Sequence, residues 1–163
     1  MDNDTTRMPF DSVGWTAWLL ATLVLFGRTA WASSEVIAVT HPKWKAECGS
    51  CHTAYPPQLL PAAAWARIMS GLDQHFGADA SLDAGSVAEI GAFLAQHAGS
   101  GERVRGARTL RITESTWFRR EHREVPAMVW KLPAVKTPAN CAACHTTADQ
   151  GDFRERNLRV PHY

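Results

Sequence analysis

Apolar residues along this chain recur at helical rather than alternating spacing. Trp65, Ile68, Met69, Leu72 and Phe76 step by three and four, predicting one helical face opened by Pro61 and ended by Gly77. Val87, Ile90 and Leu94 form a second stripe, predicting a helix from Ser86 to about His97 with Asp83 or Ser86 as its N-cap. Ala98-Gly-Ser-Gly101 and Gly106 punctuate the chain as a linker. Thr113 or Ser115 is placed to cap a short helix carrying Trp117, Phe118 and His122. Pro126, Pro133 and Pro138 then break the chain before a last helix, predicted around Cys141 to Ala148 and ended by Gly151. No segment carries a convincing strand pattern, so the expected class is all-α, built from short helices and loops. The glycines do not form G-x-G-x-x-G after a strand, which removes a dinucleotide fold.

The N-terminus follows different rules. Arg7 precedes the apolar stretch Trp15–Phe26, and Ala30-Trp31-Ala32 matches a small-x-small cleavage site. Residues 1–32 therefore read as an export signal cut after Ala32. Asp2, Asp4 and Asp11 outnumber Arg7, which keeps an uncleaved membrane tether as the alternative. The apolar run from Val13 to Phe26 is short for a span. Either way the folded part is expected outside the cytoplasm, in the periplasm.

Composition narrows the class. The chain has 163 residues, 45% hydrophobic and 20% charged, with a formal charge of +1. That is too apolar for intrinsic disorder and too weakly charged for a general nucleic-acid binder. After the leader, residues 33–100 and 101–163 read as two small lobes around a shared core.

The chemistry lies in the four cysteines. Cys48-Gly-Ser-Cys51-His52 and Cys141-Ala-Ala-Cys144-His145 are both C-x-x-C-H, and together they use every cysteine in the chain. This is the attachment pattern of c-type haem. Two thiols three positions apart reach two vinyl groups on one porphyrin edge, and the adjacent histidine turns its imidazole onto the iron. A thioredoxin-like pair would need a βαβ context and no repeated histidine. A Cys₄ zinc site would leave both histidines unexplained. One motif per lobe gives two haem c groups. A chain this short builds a marginal core, so the porphyrins should serve as much of it. Trp44, Trp65, Trp117, Trp130, Phe76, Phe93 and Phe118 are the expected packing partners.

Each iron has a second face, and its occupant decides between electron transfer and small-ligand chemistry. His75 lies 23 residues after His52, on the face that carries Leu72 and Ile68. His122 lies 23 residues before His145 and four after Phe118. These two are the expected sixth ligands, paired within each lobe, with a crossed arrangement still open. His97 continues the second stripe and is the reserve ligand. His41 reads as a surface residue within reach of haem 1, and His162 as solvated. Met69 and Met128 read as core residues rather than ligands. Seven arginines between Arg103 and Arg123 alternate with glutamates and read mostly as a solvated face. One or two of them suit haem propionates.

At the level of longer motifs the chain resembles the small periplasmic dihaem cytochromes c of proteobacteria. The resemblance rests on the run from Glu47 to Pro61, His75-Phe-Gly77, Arg111 to Phe118, Glu121-His122 and Cys141-Ala-Ala-Cys-His145. It implies a cytochrome c-like electron carrier with bis-histidine haems and no catalytic residues. It also implies redox protein partners, among them a small monohaem cytochrome with an oxygen-binding iron; a membrane-bound electron donor is a further expected partner. The rival readings are a peroxidase-like haem oxidoreductase with one open iron, and a haem-based redox or gas sensor.

N-terminal sequencing of the exported protein should begin at Ser33, and its intact mass should exceed the polypeptide by two haems. Recovery of the full-length chain in membranes would establish the tether instead. A mass increment of one haem would break the two-motif reading.

Overall fold

In a computed structural model of the chain, residues 40–161 are described. The expected leader and His162 lie outside the described residues. The first described element, α1 (Pro42–Cys48), was not anticipated by the apolar pattern. Its signal is His41-Pro42: proline pre-sets the first helical turn, and His41 Nδ1 accepts the Trp44 N–H at 3.3 Å. Cys48 is its last residue, so α1 delivers the chain directly into the first cysteine motif.

A 3₁₀ turn over Pro57–Leu59 leads to α2 (Ala62–Met69), which Pro61 opens as expected. The predicted face does not run on to Phe76. The helix stops at Ser70-Gly71, two weak helix formers, and the Ser70 hydroxyl bonds back to the Arg67 carbonyl at 3.0 Å. A separate 3₁₀ turn, Leu72–Gln74, follows. The chain then reverses at His75–Ala78, with both central residues at positive φ, Phe76 at 54° and Gly77 at 101°. Phe76 is 44% exposed and lies off the buried face. Helix α3 (Ala84–Gln96) matches its prediction within two residues, and Asp83 caps it by accepting the Ser86 N–H at 3.0 Å. Helix α4 (Thr116–Glu121) is capped by the Ser115 hydroxyl, which accepts the Phe118 N–H at 3.1 Å.

The last predicted helix is replaced by two 3₁₀ turns, Cys141–Ala143 and Ala148–Gln150. The His145 N–H still reaches the Cys141 carbonyl at 2.8 Å, but a continuous helix does not form because carbonyls beyond it are engaged with residues later in the chain. The Thr147 carbonyl accepts the Asp152 N–H at 3.2 Å, and the Cys144 carbonyl accepts the Arg159 N–H at 2.9 Å. Gly151 ends the second turn at φ 70°, the left-handed position anticipated for it. The described residues contain no strand, only isolated bridges at His75–Ala78 and His145–Leu158.

Helix α2 packs on α3, burying Trp65, Ile68 and Met69 with Ile90, Phe93 and Leu94. Trp44, Leu59 and Leu60 join from before them, and Ile112 and Phe118 from beyond the glycine segment. One core thus spans both lobes. The crossing at Gly99 is close-packed: its N–H donates to the Leu60 carbonyl at 2.9 Å, and a Cβ there would lie 2.2 Å from the Gln58 carbonyl oxygen. Near the C-terminus, Asp152 accepts from Arg154 Nε at 2.8 Å, the Arg154 backbone N–H at 3.1 Å and Asn157 Nδ2 at 2.9 Å. This knot lays the tail alongside the second motif, where Thr146 also bonds the Asn157 carbonyl.

Gly99→Ala should lower stability by about 1–3 kcal/mol, the usual cost of overpacking, seen as a lower thermal midpoint of the haem-loaded protein. The Arg154 hydrogen bonds hold the Asp152 carboxyl down to about 2. A carboxyl lowered in the folded state contributes stability that is complete above its ordinary value and lost as pH falls towards 2. The thermal midpoint of the native chain should therefore fall more steeply between pH 4 and pH 2 than that of Asp152→Asn. Parallel curves would show that Asp152 contributes no such linkage.

Candidate metal centres

The two motif histidines each face a second histidine. The rings of His52 and His75 have centroids 6.2 Å apart, and those of His122 and His145 are 6.1 Å apart. Two imidazoles that share one metal ion place their centroids about 6 Å apart, since each metal–nitrogen bond is about 2 Å. The ring separation in both places therefore matches that of two ligands sharing one ion. The structure brings together the pairs expected within each lobe, not the crossed ones.

Local structure explains each position. His52 follows α1 and the cysteine turn, and its Nδ1 lies 2.7 Å from the Thr53 carbonyl. His75 lies at the end of the Leu72–Gln74 turn, not on a helix face as expected, because the helix broke at Ser70-Gly71. The reversal at Phe76-Gly77 leaves it opposite His52, with the Phe76 ring edge-on at 4.9 Å. The left-handed backbone of Phe76 is costly for a bulky residue, by about 1–3 kcal/mol. His122 is the C-cap of α4; its Nδ1 lies 2.9 Å from the Phe118 carbonyl, and its ring stacks on Phe118 at 4.0 Å. His145 packs against Phe153 at 5.2 Å, and its Nδ1 is buried without a hydrogen-bond partner.

Protonation suits ligation. Burial, with help from His52 and Arg111, lowers the pKa of His75, and burial with His122 lowers that of His145. Both therefore keep a free nitrogen lone pair at neutral pH. Cys48 and Cys141 are the opposite of activated redox thiols: burial pushes both up to about 11. None of the four cysteines is in a disulfide. Among the described residues no group of three or more His, Cys, Asp or Glu side chains is placed to hold a metal ion, so the cysteine pairs do not form a zinc cage. What remains is two C-x-x-C turns, each beside an opposed histidine pair, and this donor set fits haem c.

The other expected candidates lie elsewhere. His97 and His41 both pack on Phe93, at 5.0 and 4.9 Å, and His41 Nε2 reaches Glu89 at 3.4 Å. Met69 is buried in the core, whereas Met128 is 56% exposed rather than a core residue. Most of the arginine segment is a solvated face, with pairs such as Arg105–Glu102 at 2.7 Å and Arg123–Glu124 at 3.3 Å. Arg111 instead lies 4.4 Å over the Phe76 ring, beside the first centre. Tyr55, within the run from Glu47 to Pro61, also lies at the first centre. Its ring stacks on His52 at 4.7 Å, and its hydroxyl donates to the Ala139 carbonyl at 2.7 Å, two residues before Cys141. Its sequence signals are its place three residues after His52 and its membership of the Glu47–Pro61 run.

Comparison with known proteins points to the same class of cofactor. Residues 44–153 match the family model described as dihaem cytochrome c. The chain is similar to a diheme cytochrome c from Rhodobacter sphaeroides, with 42% identity over 71% of this chain and 98% of that one, at a TM-score of 0.66. It is also similar to the diheme cytochrome of Shewanella baltica OS155, with 39% identity over 75% of this chain and 94% of that one, also at 0.66. No curated protein matches the chain.

Proposed function

The chain belongs to the dihaem cytochrome c family, and we propose that it is an exported carrier of single electrons whose two irons are both closed by histidine pairs. Membership brings two covalently bound haem c groups. In this reading Cys48 and Cys51 hold haem 1 by thioethers, and Cys141 and Cys144 hold haem 2. His52 and His75 ligate the first iron, and His145 and His122 the second. The observation that carries the assignment is the matched pair of ring separations, 6.2 and 6.1 Å.

The haem supplies a reversible one-electron change at iron. The polypeptide anchors the macrocycle and aims the imidazoles, and burial keeps those of His75 and His145 neutral. Carbonyl acceptors at His52 and His122 fix ring orientation and raise donor strength. With a histidine on each face, neither iron offers a position to peroxide or a gas, so a carrier is favoured over a peroxidase-like enzyme or a sensor. Such closed centres also rearrange little on reduction. The leader directs the chain to the periplasm, where the partners are redox proteins: a small monohaem cytochrome on one side and a membrane-bound donor on the other.

His75→Ala and His122→Ala test the ligands. Each variant should keep both haems attached, because the thioethers remain. Each should convert one of the two irons to high spin, bind carbon monoxide at that iron when reduced, and raise its potential, since loss of a histidine donor favours ferrous iron. An unchanged low-spin spectrum in His75→Ala would remove His75 as a ligand and turn attention to His97.

A further inference from the structure

The two histidine pairs share one separation but not one orientation. The ring planes of His52 and His75 are 18° from parallel, whereas those of His122 and His145 cross at 77°. A ring bound to a metal through one nitrogen rotates freely about that bond unless its surroundings hold it. Here the surroundings differ. His52 lies against the face of Tyr55, 25° from parallel, with its Nδ1 directed at the Thr53 carbonyl. His122 lies flat on Phe118, 19° from parallel, with its Nδ1 directed at the Phe118 carbonyl. Trp130 closes on it at 5.8 Å, and Phe153 meets His145 at 64°.

We propose that this packing makes the two irons electronically unlike, with near-parallel imidazole planes at haem 1 set by Tyr55 and near-perpendicular planes at haem 2 set by Phe118. The inference rests on the four-histidine ligation proposed above. Its consequence follows from orbital symmetry. An imidazole donates π density along one direction, normal to its ring, and so raises one of the two iron dπ orbitals that point towards it. Parallel rings raise the same orbital and split the pair. Perpendicular rings raise one each and leave the pair nearly degenerate. A ferric low-spin iron reports that splitting directly: a large one gives a rhombic signal with three resolved g-values, and a small one gives a single, strongly anisotropic feature at low field. Tyr55 and Phe118 act as positioning residues, since neither touches the iron.

The test is electron paramagnetic resonance of the oxidised, haem-loaded full chain. The expected spectrum contains one rhombic and one strongly anisotropic low-spin signal, each integrating to one spin per chain. His75→Ala should abolish the rhombic signal and His122→Ala the anisotropic one. Tyr55→Leu should shift only the rhombic g-values and Phe118→Leu only the low-field feature, in variants shown by mass to carry both haems. Tyr55→Phe, which keeps the ring, should leave both in place. Two low-spin signals of the same type, or the reverse assignment, would overturn the inference while leaving bis-histidine ligation standing. Unchanged g-values in Tyr55→Leu would remove Tyr55 as the positioning residue. A high-spin signal in the native chain would overturn the ligation itself.

Discussion

Two imidazoles facing one another across about 6 Å repel when protonated and attract only weakly when neutral. Such a pair does not hold itself in place, so the surrounding fold must hold it. In this chain the holding is done by few residues. Helix α1 and the cysteine turn bring His52, and a broken helix followed by a strained reversal brings His75. Helix α4 brings His122, and the tail knotted at Asp152 flanks His145. Burial keeps His75 and His145 neutral. In the proposed reading a metal between each pair of rings would turn these weakly held arrangements into coordinate bonds, and covalently linked haem contributes the apolar mass that so short a chain lacks.

The parts legible in sequence are those governed by short-range rules. The C-x-x-C-H spacing named the chemistry, and the Asp83 and Ser115 caps placed α3 and α4 closely. The within-lobe pairing of His75 and His122 was drawn from spacing and apolar neighbours, and the structure places both rings opposite the motif histidines. Apolar spacing predicts one continuous helix to Phe76, but Ser70-Gly71 ends it early, so His75 reaches its place from a turn rather than a helix face. The last helix failed for a different reason: its carbonyls are taken by Asp152 and Arg159, residues later in the chain whose partners no local pattern shows.

Gly99 and Tyr55 illustrate the same limit. A glycine in a Gly/Ser stretch reads as flexible, yet Gly99 is where two segments cross too closely for any side chain. Tyr55 reads as one more aromatic residue, yet it links the first centre to the segment leading into Cys141. Both are long-range contacts, set by tertiary packing. The Tyr55 contact also joins the two lobes, which share a core.

A potentiometric titration of the haem-loaded protein, followed by its optical spectrum, tests the central claim most directly. If both irons are closed by histidine pairs and serve only to carry electrons, reduction takes up two electrons per chain in one-electron steps. Both centres then stay low spin at every potential, and the reduced protein does not bind carbon monoxide. A spin change during either step, or carbon monoxide binding at one centre, would show an open iron and contradict the account.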